Sequence, residues 1–467
     1  MPSEFPQKFS SELESALSTW AQRGQRRSLA EIPGVNLCSN DYLGLSQSPR
    51  LRGAVAEAVA AAERVGSTGS RLLSGHDRAW DELEESFAEF AGTEAALFFT
   101  SGYAANLGLL TSLAGPDDSI FSDALNHASL IDGIRLSGAR KHIYPHADLN
   151  ALESGLREHQ NDRGRKLIVT ETVFSMDGDV APLREIFALA ARYGAGVILD
   201  EAHATAVHGP QGRGLAAGLS AVAASHGAAD VSRGDAVVTQ GAVDGAENVV
   251  AVVHTCGKAL ASVGAFVCGG ALLKEYLINR ARSFLFSTAL PPYLAAQVHA
   301  ALRLAQSMDA ERAALRQNAQ ALSAVLRRQG WDTASSSTQI IPVIIGKNDA
   351  AVAAAAFLQR AGFAVRAIRP PTVPQGIARL RLSLTAAITP DELTRLADAL
   401  QAFRDESVSE GRRESASHSA APRAPQLLAK TSAHAAGAHL DFTESSHRTT
   451  DAQDTGDAHL TEAWSRR

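Results

Sequence analysis

One lysine, Lys258, stands in His254-Thr255-Cys256-Gly257-Lys258-Ala259-Leu260, directly after the apolar run Val249–Val253. An ammonium at the end of a buried strand is costly unless it reaches water, pairs with an anion, or loses its charge by forming a bond. Other polar groups recur at the ends of apolar runs. Asp200 closes Val197-Ile198-Leu199, so its carboxylate is partly buried and needs a cationic or N–H partner. His203 follows and can point to the same side, while Ser175 stands at the adjacent strand end, after Lys166–Phe174. His127 lies in a polar loop shortly after Ser119–Asp123. Phe99–Asn106 reads as a strand, a small-residue turn and a helix start. The backbone N–H groups of Gly102 and Tyr103 then face an anion at the positive end of that helix.

Taken singly, each of these is more simply a turn, a strand end or a solvated side chain. Taken together they are what pyridoxal 5'-phosphate requires. The phosphate would sit on the helix N-terminus, and Asp200 would keep the ring nitrogen protonated so that the ring can act as an electron sink. Histidines would flank the ring, and Lys258 would bond to the aldehyde. The lysine thereby escapes the cost of an isolated buried charge.

Two other readings fail on spacing. Val197–His203, "VILDEAH", resembles the magnesium-binding strand end of a nucleic-acid motor, but that needs a phosphate loop of the form G-x-x-x-x-G-K-[ST]. Around Gly257-Lys258, Val252 stands where the first glycine belongs and Ala259 where the hydroxyl belongs. Gly209–Gly214, "GPQGRG", is not G-x-G-x-x-G and does not directly follow a strand. Cys38, Cys256 and Cys268 have no metal-ligand spacing, and the tail histidines His418, His434, His439, His447 and His459 are irregularly placed, so no metal site is expected.

The elements that must position these groups are legible as alternation. From about 51 to 290, short apolar runs alternate with helical segments such as Leu183–Gly194, whose Leu183, Ile186, Phe187 and Ala190 share one face. Strands that are apolar throughout and alternate with helices indicate an α/β fold with a largely parallel sheet, covered on both faces. Residues 1–30 read as an amphipathic helix ending in the basic cluster 23–27, the first part of an N-terminal arm over 1–50. Residues 291–405 read as a smaller α+β domain: a long helix over about 292–329, the strands 338–346, 363–368 and 379–386, and a closing helix to about 404. Residues 216–247, rich in Ala, Gly and Ser, read as an insertion, and 406–467 as a disordered tail.

With 467 residues, 45% hydrophobic, the chain can bury a large core, and a net charge of −6 points to neither nucleic acid nor an anionic membrane surface. No secretory signal opens it, and no apolar run approaches the roughly 20 residues of a membrane span, so a cytoplasmic protein is expected.

The chain resembles the α-oxoamine synthases, fold-type I pyridoxal-phosphate enzymes. The resemblance rests on "NDYLGLS" (Asn40–Ser46), "GSTGSRLLSG" (Gly66–Gly75), "TSGYAAN", "SDALNHASLIDG", "ETVFSMDGD", "LDEAHATAVHGPQGRG", "HTCGKAL" and "IRPPTVPQGIARLRLSLT" (Ile368–Thr385), in the family's order over about 30–400. It implies that Lys258 carries the cofactor and moves a proton at the substrate α-carbon, that Asp200 pairs with the ring nitrogen, and that His127 stacks on the ring. It further implies that Ser175 and His203 hydrogen-bond the phenolic oxygen. Gly102, Tyr103 and Thr255 would hold the phosphate, with Thr288 from a partner subunit of a homodimer. Arg381 would clamp the amino-acid carboxylate, Arg379 being a solvated strand arginine, and Thr372 would lie on the acyl side. The segments "AIRPPTVP" and "HGPQGRG" are most similar to the branch that joins L-alanine to a pimeloyl thioester, carried by CoA or an acyl carrier protein, in biotin synthesis. "SDALNHASLIDG" is shared with the branch that uses glycine and acetyl-CoA. Arg26 or Arg27 would meet the distal carboxylate of the pimeloyl chain. Ala206 and Ile377 replace the family's usual glycine and threonine, changes that could tighten the pocket.

Overall fold

Among the described residues, eight strands precede residue 270: β1 (Val35–Asn36), β2 (Ala95–Phe99), β3 (Ser119–Asp123), β4 (Arg140–Tyr144), β5 (Lys166–Glu171), β6 (Ala195–Asp200), β7 (Val249–Thr255) and β8 (Ala265–Gly269). All but β1 form one sheet, in the order β2-β8-β7-β6-β5-β3-β4. Neighbours from β7 to β4 pair parallel, and β8 runs antiparallel to both β7 and β2. The computed structural model describes residues 4–217 and 244–419; most of the expected insertion and the tail beyond 419 lie outside the described residues.

Both faces of this sheet are covered, for a reason visible in single strands. Val197 and Leu199 of β6 join one hydrophobic cluster and Ile198 joins another, as the two-residue side-chain period demands. Neither face meets water, so the strand carries no polar alternation. The helix Leu183–Tyr193 buries Leu183, Ile186, Phe187, Leu189 and Ala190 against the first cluster, the face expected from its spacing.

The sequence reading missed β4. Four of its five residues, Arg140-Lys141-His142-Ile143, are not buried, because it is the sheet's edge and offers no apolar run. The expected long helix over 292–329 is two helices, Tyr293–Gln306 and Asp309–Arg328. Arg312, buried in the second, donates to the carbonyls of Ala305 (2.6 Å) and Gln306 (3.3 Å) at the end of the first. A guanidinium thus satisfies last-turn carbonyls that have no partner within their own helix. The N-terminal helix, Glu4–Gln22, stops short of the basic cluster, and the closing helix, Pro390–Ser419, runs past the expected end at 404. Among the described residues no helix is long and apolar enough to cross a membrane.

Beyond the large sheet, β9 (Ile340–Gly346), β11 (Ala367–Ile368) and β12 (Ala378–Ser383) make a three-stranded antiparallel sheet ordered β11-β12-β9. β10 (Phe363–Ala364) pairs parallel with β1, which draws the N-terminal arm onto the C-terminal region. Ser383 N–H donates to Leu37 O (2.9 Å) and Ala386 N–H to Tyr42 O (2.8 Å), so Asn40 and Tyr42 are held beside β12.

A half-buried imidazole ties two of the sheet's loops together. His146 Nδ1 lies 3.0 Å from Asp123 Oδ1 and its Nε2 2.7 Å from Asp179 Oδ2. Burial disfavours its charge, but hydrogen bonds to both carboxylates more than reverse this and raise its pKa from 6.5 to about 10. A raised folded-state pKa gives stability that is full below 6.5 and is lost as pH rises through 10. His146→Gln therefore lowers stability, by about 1.5–3 kcal/mol per charged hydrogen bond lost. Urea unfolding of the two proteins across this pH range should show the gap widest at the acid end and closing toward the alkaline end.

Candidate active site

The C-terminal ends of the parallel strands and of β2 deliver the chemistry. After β2 comes the helix Gly102–Leu113, capped by Ser101, whose Oγ accepts from Ala104 N–H at 3.1 Å. After β3 comes His127, the N-cap of the helix Ala128–Ser137. After β5 comes Ser175, Asp200 ends β6, and Lys258 follows β7. The tight loop 256–264 that carries Lys258 closes with Cys256 N–H on Gly264 O (2.9 Å) and Ala261 N–H on Lys258 O (2.8 Å). Gly264 has φ +80°, and a Cβ there would lie 2.1 Å from the Phe98 ring, so only glycine lets the loop press this close to β2.

Asp200 is buried, and its expected N–H partners are present. Asn106 Nδ2 donates to Oδ2 at 2.7 Å and Ala202 N–H donates to Oδ1 at 2.8 Å. Asn106 Nδ2 also donates to Ser129 Oγ (2.9 Å), and Ser129 lies 2.8 Å from His127 Nδ1. Ser129 N–H donates to the same His127 nitrogen (3.2 Å), which makes Nδ1 an acceptor. A carboxylate accepts about four hydrogen bonds, so Asp200 retains capacity for a further donor.

The amine and the rings share one electrostatic environment. Burial lowers Lys258 to about 8, opposed by Asp200 and Glu171 and reinforced by Arg381, so a larger share is free amine at neutral pH than in an ordinary lysine. Burial, then Lys258, Arg381 and His127, hold His203 well below the ordinary imidazole value. His127 is also lowered, first by burial, with Lys258 acting alike and Asp200 against. Glu171 is fully buried beside Asp200, and desolvation followed by that neighbour raises it to about 8. Two carboxylates cannot both ionise cheaply here, and Glu171 is the one that keeps its proton.

Arg381, 8% exposed, donates among the described residues only to neutral acceptors: Ser175 O (2.5 Å), Ser383 Oγ (2.6 Å), Asn40 Oδ1 (3.1 and 3.2 Å) and Tyr42 OH (3.5 Å). A buried guanidinium without a counter-carboxylate is expensive, and it matches a ligand carboxylate bidentately. Arg379 departs from expectation. It is buried, not solvated, and ion-pairs with Asp177 Oδ1 at 2.5 Å, which excludes it from that role.

A Cβ on Gly102 would lie 3.6 Å from Thr255 Oγ1, an ordinary contact distance, so the helix start and the end of β7 adjoin. The exposed side chain of Tyr103 donates through its hydroxyl to Asp132. On this chain Thr288 lines a depression with Arg71, Thr100 and Ser287. Of the two N-terminal arginines, Arg27 reaches Thr372, Nη2 donating to Oγ1 at 3.3 Å, while Arg26 donates its backbone N–H to Trp20 O (3.1 Å). Arg369, which donates to Gly24 O, sits close enough to Arg27 to be depressed by burial and then by that like charge.

Sequence reasoning brought Lys258, Asp200, His127, His203, Ser175 and Arg381 to one place. It missed Glu171, Asn106, Tyr42 and Asn40 as members of the same network. Glu171 is the glutamate of "ETVFS", and the other three lie inside quoted motifs, where nothing but position marked them. The replacement at Ala206 acts on the backbone: this buried alanine holds φ +66°, a left-handed conformation that glycine adopts more freely. Ile377 is 37% exposed and offers its carbonyl to Arg379 Nε (3.3 Å).

Three comparisons bear on identity. The model of the family "Aminotransferase class I and II" matches residues 32–400. The 8-amino-7-oxononanoate synthase of Burkholderia vietnamiensis is 47% identical over 382 residues, covering 80% of this chain and 88% of its own. That of Citrifermentans bemidjiense is 42% identical over 408 residues, covering 85% and 97%. Among solved structures, serine palmitoyltransferase from S. paucimobilis, bound to a pyridoxal-phosphate–myriocin adduct, superposes with a TM-score of 0.73 at 28% identity, covering 85% of this chain and 98% of that one. A buried carboxylate, an amine with a lowered pKa, a helix start beside a hydroxyl and a guanidinium with no carboxylate partner among the described residues suit a phosphorylated pyridine aldehyde carrying an amino acid. The chain belongs to the class I and II aminotransferase family, and it is a fold-type I acyltransferase of the α-oxoamine synthase type whose cofactor is pyridoxal 5'-phosphate.

Proposed function

We propose that this enzyme condenses L-alanine with a pimeloyl thioester, of CoA or an acyl carrier protein, releasing CO₂, the free thiol and 8-amino-7-oxononanoate, in biotin synthesis. Pyridoxal phosphate, when bound, supplies the electron sink for α-proton removal and for decarboxylation. Lys258 would hold the cofactor covalently and move the proton at the amino acid's α-carbon, and its lowered pKa suits both tasks. Asp200 keeps a proton on the ring nitrogen, held in place by Asn106 and Ala202 N–H. His127 lies against the ring as a neutral imidazole. His203 and Ser175 donate to the phenolic oxygen. The N–H groups of Gly102 and Tyr103 and the Thr255 hydroxyl take the phosphate, with Thr288 of a second copy in a homodimer. Arg381 clamps the amino-acid carboxylate.

The observation that carries the acyl choice is the meeting of Arg27 with Thr372, with Arg369 alongside. Two guanidiniums whose hydrogen-bond acceptors are neutral suit a chain ending in a carboxylate, which pimeloyl has and acetyl lacks. A panel of L-alanine, glycine and L-serine against pimeloyl, acetyl and long-chain acyl thioesters tests this, with CoA and carrier-protein forms both included. Turnover should appear with L-alanine and pimeloyl thioester. Turnover with glycine and acetyl-CoA alone would move the enzyme to the 2-amino-3-ketobutyrate CoA ligase reaction.

The same pocket yields a sharper test. Arg27→Ala should raise KM for the pimeloyl thioester roughly 10- to 100-fold, the loss of one hydrogen bond to a charged group. KM for L-alanine should not move.

A further inference from the structure

Tyr42 has no exposed surface, and its hydroxyl sits in a polar cluster that also includes Gln339 and Ser383. His203 Nδ1 lies 2.6 Å away, Asn40 Oδ1 3.1 Å, and Arg381 Nη2 3.5 Å. Burial raises the phenol's pKa, so its proton is always present and must be given to one acceptor. Asn40 Oδ1 already receives Nη1 and Nη2 of Arg381, at 3.1 and 3.2 Å, which fills its two lone pairs. His203 Nδ1 is the closer acceptor. Protonating both nitrogens of His203 is opposed by its burial and by the positive charges of Lys258 and Arg381.

We propose that Tyr42 is a positioning residue that donates to His203 Nδ1, fixes the imidazole's single proton on Nε2, and links that histidine to the carboxylate-binding Arg381. Resting on the functional reading above, this gives His203 its one N–H for the cofactor's phenolic oxygen. Without Tyr42 the buried ring is free to place its proton on either nitrogen, and in one of those states it has no N–H to offer. The three groups form a directed chain in which Arg381 donates to Tyr42 and Tyr42 to His203, each bond polarising the next. The residue that grips the substrate and the residue that tunes the cofactor are therefore connected through one phenol.

Two measurements test it, and they fail separately. In the cofactor-free protein labelled with ¹⁵N-histidine, with His203→Asn used to assign the signals, His203 Nδ1 should resonate as an unprotonated nitrogen and Nε2 as a protonated one. A proton on Nδ1 overturns the proposal without recourse to any variant. In the protein loaded with pyridoxal phosphate, Tyr42→Phe should keep the visible absorbance band but move its titration midpoint up by about one pH unit, the scale of one net hydrogen bond to an anionic oxygen. An unmoved midpoint in a folded, loaded variant overturns the proposal. A wild-type protein with no such band would sink the functional reading, while the nitrogen signals would still decide the tautomer.

Discussion

Lys258→Ala should leave a folded protein whose turnover has fallen by more than roughly 10³-fold, since proton transfer by a placed group alone is worth about 10²–10⁴-fold. The variant also loses the covalent hold on the cofactor. Stability should survive, for a physical reason. The amine that is removed is desolvated enough for its pKa to fall to about 8, so folding gains little from it. The negative charge it leaves behind is limited, because Glu171, raised to about 8, stays protonated at neutral pH and leaves Asp200 with its own N–H donors. Steady-state kinetics with a thermal melt on the same preparation checks both halves. Unimpaired turnover in a well-folded variant would remove Lys258 from the chemistry.

The second large effect is expected at Arg381. Arg381→Ala deletes the buried guanidinium that has no carboxylate of its own, and with it the grip on L-alanine. Losing a buried charged hydrogen-bonded pair costs about 2–5 kcal/mol, or roughly 30- to 5,000-fold in kcat/KM for the amino acid. KM for the pimeloyl thioester should hold, which separates this variant from Arg27→Ala. Arg381→Lys should recover only part of the loss, because an ammonium keeps the charge but not the planar fork. The donors to Ser175 O and Asn40 Oδ1 vanish in Arg381→Ala, so its melting temperature should also fall.

The site was legible where a charged or ionisable residue interrupts an apolar run. Asp200 after Val197-Ile198-Leu199 and Lys258 after β7 stand out because burial makes such residues expensive without a task. What could not be read was the neighbourhood that depends on chain ends meeting. Arg381 and Tyr42 are far apart in sequence and adjoin only because Ser383 and Ala386 donate to the Leu37 and Tyr42 carbonyls. Arg379 and Arg381 share one strand with alternate spacing, and nothing in "RLRLSL" says that one meets Asp177 and the other Asn40. Glu171 was overlooked because an acid at a strand end reads as solvated until the sheet places it beside Asp200, as the β5–β6 register does. The edge strand β4 and the break between Gln306 and Asp309 were hidden by their polar, helix-tolerant residues.

Borohydride reduction of the protein incubated with pyridoxal phosphate, followed by peptide mass spectrometry, tests the covalent role of this amine most directly. A reduced phosphopyridoxyl group on the peptide containing Lys258 is the result expected; its absence there, or its appearance only on surface lysines, would contradict the account.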